Sequence, residues 1–194
     1  MKLAFCDVET TGKCPDKGHE IWDIGLIIRD GPGVADAEYQ WFIKPDLGNA
    51  DPDAVPVGRY YERAPAPGVT APNGPQWSDP AKVAPILARL LDRAILVGSN
   101  PAFDAKFLAA FLSNHGECGT WSYHLVDVRQ RAIGYLLGKG AVASHRSDEQ
   151  AVDTWKTARI FTQLGVDLNA FRAHEALEDA KIARAVYDLT GGAP

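Results

Sequence analysis

Between Ser78 and Asp104 the chain reads SDPAKVAPILARLLDRAILVGSNPAFD, and this stretch narrows the fold more than any other. Ser78 is placed to cap a helix that opens DPAK, with Pro80 in its first turn, where a missing N–H costs nothing. That helix is expected to run to about Arg93. AILVG (94–98) then reads as a short apolar strand. Asn100 caps a second helix, with Pro101 at its first position. A strand entered and left through helices pairs parallel with its sheet neighbour, because a parallel crossover needs enough chain to hold a helix. This half of the chain is therefore α/β.

The N-terminal part has a different texture. Residues 2–7 (KLAFCD), 21–29 (IWDIGLIIR) and 38–43 (EYQWFI) read as three strands, bounded by polar and glycine-containing links. Their short spacing predicts an antiparallel meander. Downstream, residues 126–138, roughly 148–164 and 175–189 are expected to be helical, the last ended by Gly191-Gly192. The expected architecture is α/β, a mixed sheet with an antiparallel meander followed by parallel strands, flanked by helices. A chain of 194 residues, 46% of them hydrophobic, suits one domain, 1–194, with a sizeable core.

Residues 44–80 interrupt this pattern. They carry eight of the thirteen prolines and four glycines, which prevents long regular elements. A loop of this length in a compact domain is uncommon and often functional. One reading is a substrate-facing flap, in which Tyr60, Tyr61 and Arg63 stack on bases and contact phosphate. The other is a packed or solvated excursion.

Composition removes several classes of function. No apolar run approaches the roughly 20 residues of a membrane helix. Asp7 breaks the apolar start that a signal peptide would need. Three scattered cysteines, Cys6, Cys14 and Cys118, argue against a disulfide framework and for a reducing, cytoplasmic setting. A net charge of −5 does not suit a protein that coats duplexes. It does not exclude an enzyme acting on nucleic acid, since bound cations reverse the local field.

Two carboxylates then demand an explanation. In AFCDVETTG (4–12), Asp7 and Glu9 fall on one face if the strand continues, because strand side chains alternate. Like charges a few ångströms apart repel, and a hard divalent cation such as Mg2+ or Mn2+ relieves the conflict through carboxylate oxygens. Asp104 lies about one turn into a helix that starts at the carboxyl end of a strand, where sites of α/β sheets gather. A plain aspartate favouring the helix dipole is the alternative there. Asp179 stands near the start of an apolar stripe made by Ala180, Ala183, Val186 and Tyr187, with Ile182 and Leu189 nearby. His174, five residues earlier, is read on the entry to that helix, where a loop can aim it at the same place. His19, His115, His124 and His145 are read as structural or solvated, and a Cys14/His19 zinc site lacks further ligands.

Together these segments resemble a known family. FCDVETTG (5–12), NPAFD (100–104) and HEALEDA (174–180) look like the three motifs of the DEDDh, or DnaQ-like, 3′–5′ exonucleases. The match runs in order over nearly the whole chain. LVDVRQRA (125–132) is similar to the segment after the second motif in many members. VYDLTGG (186–192) resembles the tail of the proofreading epsilon subunit of bacterial DNA polymerase III. Ser99 stands where many members carry histidine, and the 44–80 segment exceeds the usual link.

The resemblance implies a ribonuclease H-like fold and a two-metal phosphodiesterase. It assigns Asp7, Glu9, Asp104 and Asp179 to two divalent ions, Mg2+ or Mn2+, and His174 to the general base. Near pH 7 an unperturbed imidazole can take a proton from water. Thr10, Thr11 and Gly12 would hold the terminal nucleotide, with Asn100 and Phe103 beside it; for the last two, capping and core packing are equally good explanations. The implied substrate is the 3′ end of single-stranded or frayed DNA, favoured over RNA, and the implied partner is a DNA polymerase. Two alternatives stay open: an exoribonuclease trimming RNA or short oligonucleotides, and a non-catalytic nucleic-acid-binding or polymerase-associated module.

Overall fold

The computed structural model describes residues 1–66, 75–141 and 156–191. Its strands are β1 (Leu3–Thr10), β2 (Ile21–Arg29), β3 (Ala37–Ile43), β4 (Trp77–Ser78), β5 (Ile95–Gly98) and β6 (Val126–Asp127). Its helices are α1 (Ala54–Val57), α2 (Tyr60–Arg63), α3 (Pro80–Leu91), α4 (Pro101–Asn114), α5 (Val128–Gly138), α6 (Thr157–Gln163) and α7 (Ala176–Leu189). The six strands form one mixed sheet in the order β4-β3-β2-β1-β5-β6. Strands β1, β2 and β3 are antiparallel neighbours, as the spacing of the three N-terminal runs predicts. Strands β5 and β6 join parallel to β1 and β5.

Alternation along β1 divides the core into two layers. Ala4, Cys6 and Val8 pack with Ile24, Leu26 and Ile28 of β2 under α3 and α4, which contribute Leu87, Leu91, Phe107 and Leu108. Leu3 and Phe5 point the other way, towards Ala132 of α5, Ile160 of α6, and Ala180 and Val186 of α7. The sheet is thus covered on both faces, the α/β arrangement in which parallel strands are found. Asp7 and Glu9 continue the series of Leu3 and Phe5, so they belong to the face that α7 covers.

Several boundaries differ from the expectation. β1 does not stop at Asp7 but runs to Thr10, because β2 continues to pair with it. Ser78 is not a helix cap. It belongs to β4, opposite Ile43, and the cap is Asp79, whose carboxylate accepts the Ala81 N–H at 3.0 Å. α3 ends at Leu91, and Arg93 adopts φ 55°, outside any helix. Residues 126 and 127 form a strand, and Asp127 caps α5 by accepting the Arg129 and Gln130 amides. Asn100 does occupy the position before α4, but in the left-handed region at φ 62° and with no side-chain capping bond. Leu189, expected on the apolar face of the last helix, is 47% exposed.

The helix expected over roughly 148–164 is described only as Thr157–Gln163, and its earlier residues lie outside the described chain. So do His145 and Gly192. The 44–80 segment contains two single-turn helices, with residues 67–74 outside the description. No helix among the described residues is long and apolar enough to cross a membrane.

Candidate active site

The site forms where β1 outruns β5. The β1–β5 pairing ends at Phe5 opposite Val97, and β5 stops at Gly98, so the Val8 N–H lies beyond it. Asp104, one turn into α4, accepts that N–H through Oδ1 at 3.0 Å. This bond fixes the α4 carboxylate against the edge of β1. Asp104 is 2% exposed.

The third element arrives through a glycine. Gly25 lies opposite Asp7 in the β1–β2 ladder. A Cβ there would stand 2.1 Å from the Ala176 carbonyl carbon and 2.2 Å from the Leu177 nitrogen. Only glycine lets the first turn of α7 rest directly on β2. That approach carries Asp179 over the end of β1. The sheet register also slips between Glu9 and Thr10, an irregularity that re-aims side chains where it occurs.

His174 is on the loop just before α7, as its distance from Asp179 predicts. It adopts φ 60°, and its N–H donates to Asp179 Oδ2 at 3.2 Å. One ligand-type atom each from Glu9, His174 and Asp179 lies within 4.8 Å of the other two. Asp7, His174 and Asp179, with Ser99 and Phe161, line a cavity of about 400 Å³. Glu9, Thr10, Gly12, Val57 and Phe103 line a second of about 370 Å³. Asp7 and Asp179 therefore border one hollow and Glu9 the other, while Asp104 lines neither.

Electrostatics show the strain in this arrangement. Burial pushes the Glu9 carboxyl up to about 7, with the Asp179 charge adding to it and Arg63 opposing it. Burial likewise raises Asp104, while the Val8 N–H pulls it back. Asp179 is raised by burial and lowered by His174. Asp7 is raised well above the ordinary carboxylate range, first by burial and then by Asp104, Asp179, Glu9 and Asp23. Four acids thus share a desolvated space that disfavours their ionised forms.

The other expected contacts are distributed unevenly. Thr10 donates its hydroxyl to the Gly12 carbonyl at 2.6 Å, beside the second cavity. Thr11 is fully buried, its hydroxyl accepting the Glu20 N–H at 2.8 Å. Phe103 borders the second cavity while packing on Phe107 with ring centroids 4.9 Å apart. Asn100 is exposed and lines neither cavity.

Two residues near the site were not among the expected ones or had another role. Asp23 of β2 lies directly opposite Glu9 and is fully buried. A lone aspartate inside the isoleucine-rich run IWDIGLIIR was the available signal. Arg63, for which both phosphate contact and a packed loop were open readings, has its guanidinium turned inward, in agreement with the packed one. It pairs with Asp23 and its side chain is only 8% exposed.

No protein-family model matches the chain, and no curated protein sequence matches it.

Proposed function

We propose that the protein is a metal-dependent 3′–5′ exonuclease of the DEDDh type with a ribonuclease H-like sheet, acting on single-stranded or frayed DNA ends. One observation carries this reading. Asp7, Glu9, Asp104 and Asp179 arrive from three separate elements into one desolvated space, where burial raises all four carboxyls, while neighbouring Asp23 is ion-paired with Arg63. The donor set fits divalent ions. It offers hard carboxylate oxygens, held on a rigid strand and two helices, in a space that penalises their charge until a cation enters. The antiparallel β3-β2-β1 meander followed by parallel β5 and β6 supports the fold assignment.

Asp7, Glu9, Asp104 and Asp179 would hold Mg2+ or Mn2+. Such ions, when bound, generate a nucleophilic water at neutral pH and neutralise charge developing on a phosphodiester. The chain's own residues do the rest. Val8 orients Asp104 through its amide, and Asp179 orients His174 by accepting its N–H. The His174 ring, exposed and bordering the first cavity, accepts a proton from water in the substrate's presence. Phe103 and Val57 offer apolar surface to a terminal base, with Thr10 and Gly12 at the same hollow. The preference for DNA and association with a polymerase follow the likeness to the epsilon subunit. Three unpaired cysteines fit a reducing, cytoplasmic setting.

Oligonucleotides labelled at the 5′ end test the reading. Single-stranded DNA and RNA are incubated with Mg2+, with Mn2+ and with chelator. The expected result is a ladder of DNA shortened from the 3′ end, dependent on metal and absent in Asp7→Asn. Preferential trimming of RNA would move the assignment to an exoribonuclease. Intact 3′ ends under every condition would overturn it in favour of a binding module.

A further inference from the structure

We propose that Arg63 is a positioning residue for His174, holding the backbone of the proton-accepting residue from within the Pro/Gly-rich segment. The proposal rests on the reading of His174 as general base. Its starting point is the strained backbone of that residue. A non-glycine residue at φ 60° is in the sparsely populated left-handed region and persists only where its surroundings over-determine it. The His174 side chain is exposed, so packing does not fix it. The backbone must do so.

Two anchors hold that backbone. On the amide side, Asp179 accepts the N–H. On the carbonyl side, Arg63 Nη1 donates to the His174 oxygen, across 111 residues of sequence. The same guanidinium donates from Nη1 to the Gly58 carbonyl at 2.9 Å and from Nη2 to Asp23 Oδ2. Its Nε lies 3.8 Å from Glu175 Oε1. Its Cζ rests 5.0 Å from the centre of the Trp22 ring. Asp23 also accepts the Gln40 amide at 3.0 Å and the Ala176 N–H at 3.4 Å. Arg63 therefore ties three bodies together: the sheet through Asp23, the 54–63 strap through Gly58, and the loop entering α7 through His174.

The strap meets the carboxylates directly as well. A Cβ on Gly58 would stand 2.8 Å from Glu9 Oε2, so its backbone closes over that side chain. The arrangement needs a planar fork. A lysine is a point charge on a flexible stem and cannot span a carboxylate and two carbonyls in fixed geometry. Nor can Arg63 serve a phosphate from this position without releasing Asp23, a fully buried carboxylate.

The test uses Arg63→Lys and Arg63→Gln in the full chain, the first retaining a cation for Asp23. At saturating single-stranded DNA, kcat should fall roughly 100-fold, the scale of a misplaced catalytic group. In Arg63→Lys, which keeps a cation beside Glu9 and Asp179, KM and Mn2+ affinity by calorimetry should stay within about threefold. In a His174→Ala background the same substitutions should cause no further loss of kcat, because the group they position is gone. Amide hydrogen exchange should quicken across 172–176 in Arg63→Lys. Wild-type kcat in both variants would overturn the proposal, as would equal losses with and without His174. If the wild-type protein leaves every 3′ end intact, the functional reading fails. Unchanged exchange across 172–176 would then separately sink the Arg63 contact.

Discussion

Glu9 offers the sharpest test of the claim that the carboxylate cluster is built for cations. Its carboxyl is raised from an ordinary 4.5 to about 7, chiefly by burial and next by Asp179. A folded value above the unfolded one means that the protonated form is favoured in the fold. Stability from this group is therefore complete below about pH 4.5 and is lost as pH rises through about 7. Each unit of displacement corresponds to about 1.4 kcal/mol, so the ionised group costs at most about 3.5 kcal/mol above neutral pH. Replacement by glutamine keeps the shape and removes the charge. Neighbouring acids then ionise more readily and return part of the gain, which leaves about 1–3 kcal/mol.

The metal-free Glu9→Gln protein should therefore melt about 2–12 °C above wild type at pH 8, at about 2–4 °C per kcal/mol for a chain of this size. At pH 5 the advantage should shrink below about 1 kcal/mol, because wild-type Glu9 is then already protonated. Scanning calorimetry in chelator at the two pH values measures both. Adding Mn2+ should raise the wild-type melting temperature by mass action and raise that of Glu9→Gln less. A variant no more stable than wild type at pH 8, or equally stabilised at pH 5, would refute the reasoning.

Three further substitutions probe other parts of the site. Asp7→Asn should abolish 3′ cleavage while circular dichroism and urea unfolding report an intact fold, since the group is a ligand candidate on a strand whose core contacts remain. His174→Ala should lower kcat by about 10²–10⁴, the usual contribution of a general base, with Mn2+ binding by calorimetry close to wild type. Gly25→Ala should cost about 1–3 kcal/mol in urea unfolding, as overpacking against backbone does, and should weaken Mn2+ binding because Asp179 moves with α7.

How far the chain could be read in advance differs from residue to residue. The alternation LAFCDVE places Asp7 and Glu9 on one face by strand geometry alone, and the ladder of β1 with β2 keeps them there. Asp104 at the start of α4 and His174 on the loop before α7 were legible for the same reason: helix punctuation is local. Ser78 was misread because two signals competed within two residues. Either Ser78 or Asp79 can cap, and pairing of Trp77 and Ser78 with β3 decides between them. Strand β6 is two residues long and has no periodicity to read, so it exists only because β5 is beside it.

What the sequence by itself determined is therefore the set of charged groups, the faces they occupy and the order of the elements that carry them. These depend on periods of two and 3.6 residues, which act over a few residues. Only the tertiary structure decided which charges would be balanced. Asp23 and Arg63 are 40 residues apart, and Arg63 and His174 are 111 apart. No local pattern couples such positions. Their contact arises when the strap folds back over β2 and Gly25 admits α7 onto the sheet. That closure ion-pairs Asp23 with Arg63 and gathers Asp7, Glu9, Asp104 and Asp179 where burial raises their carboxyls.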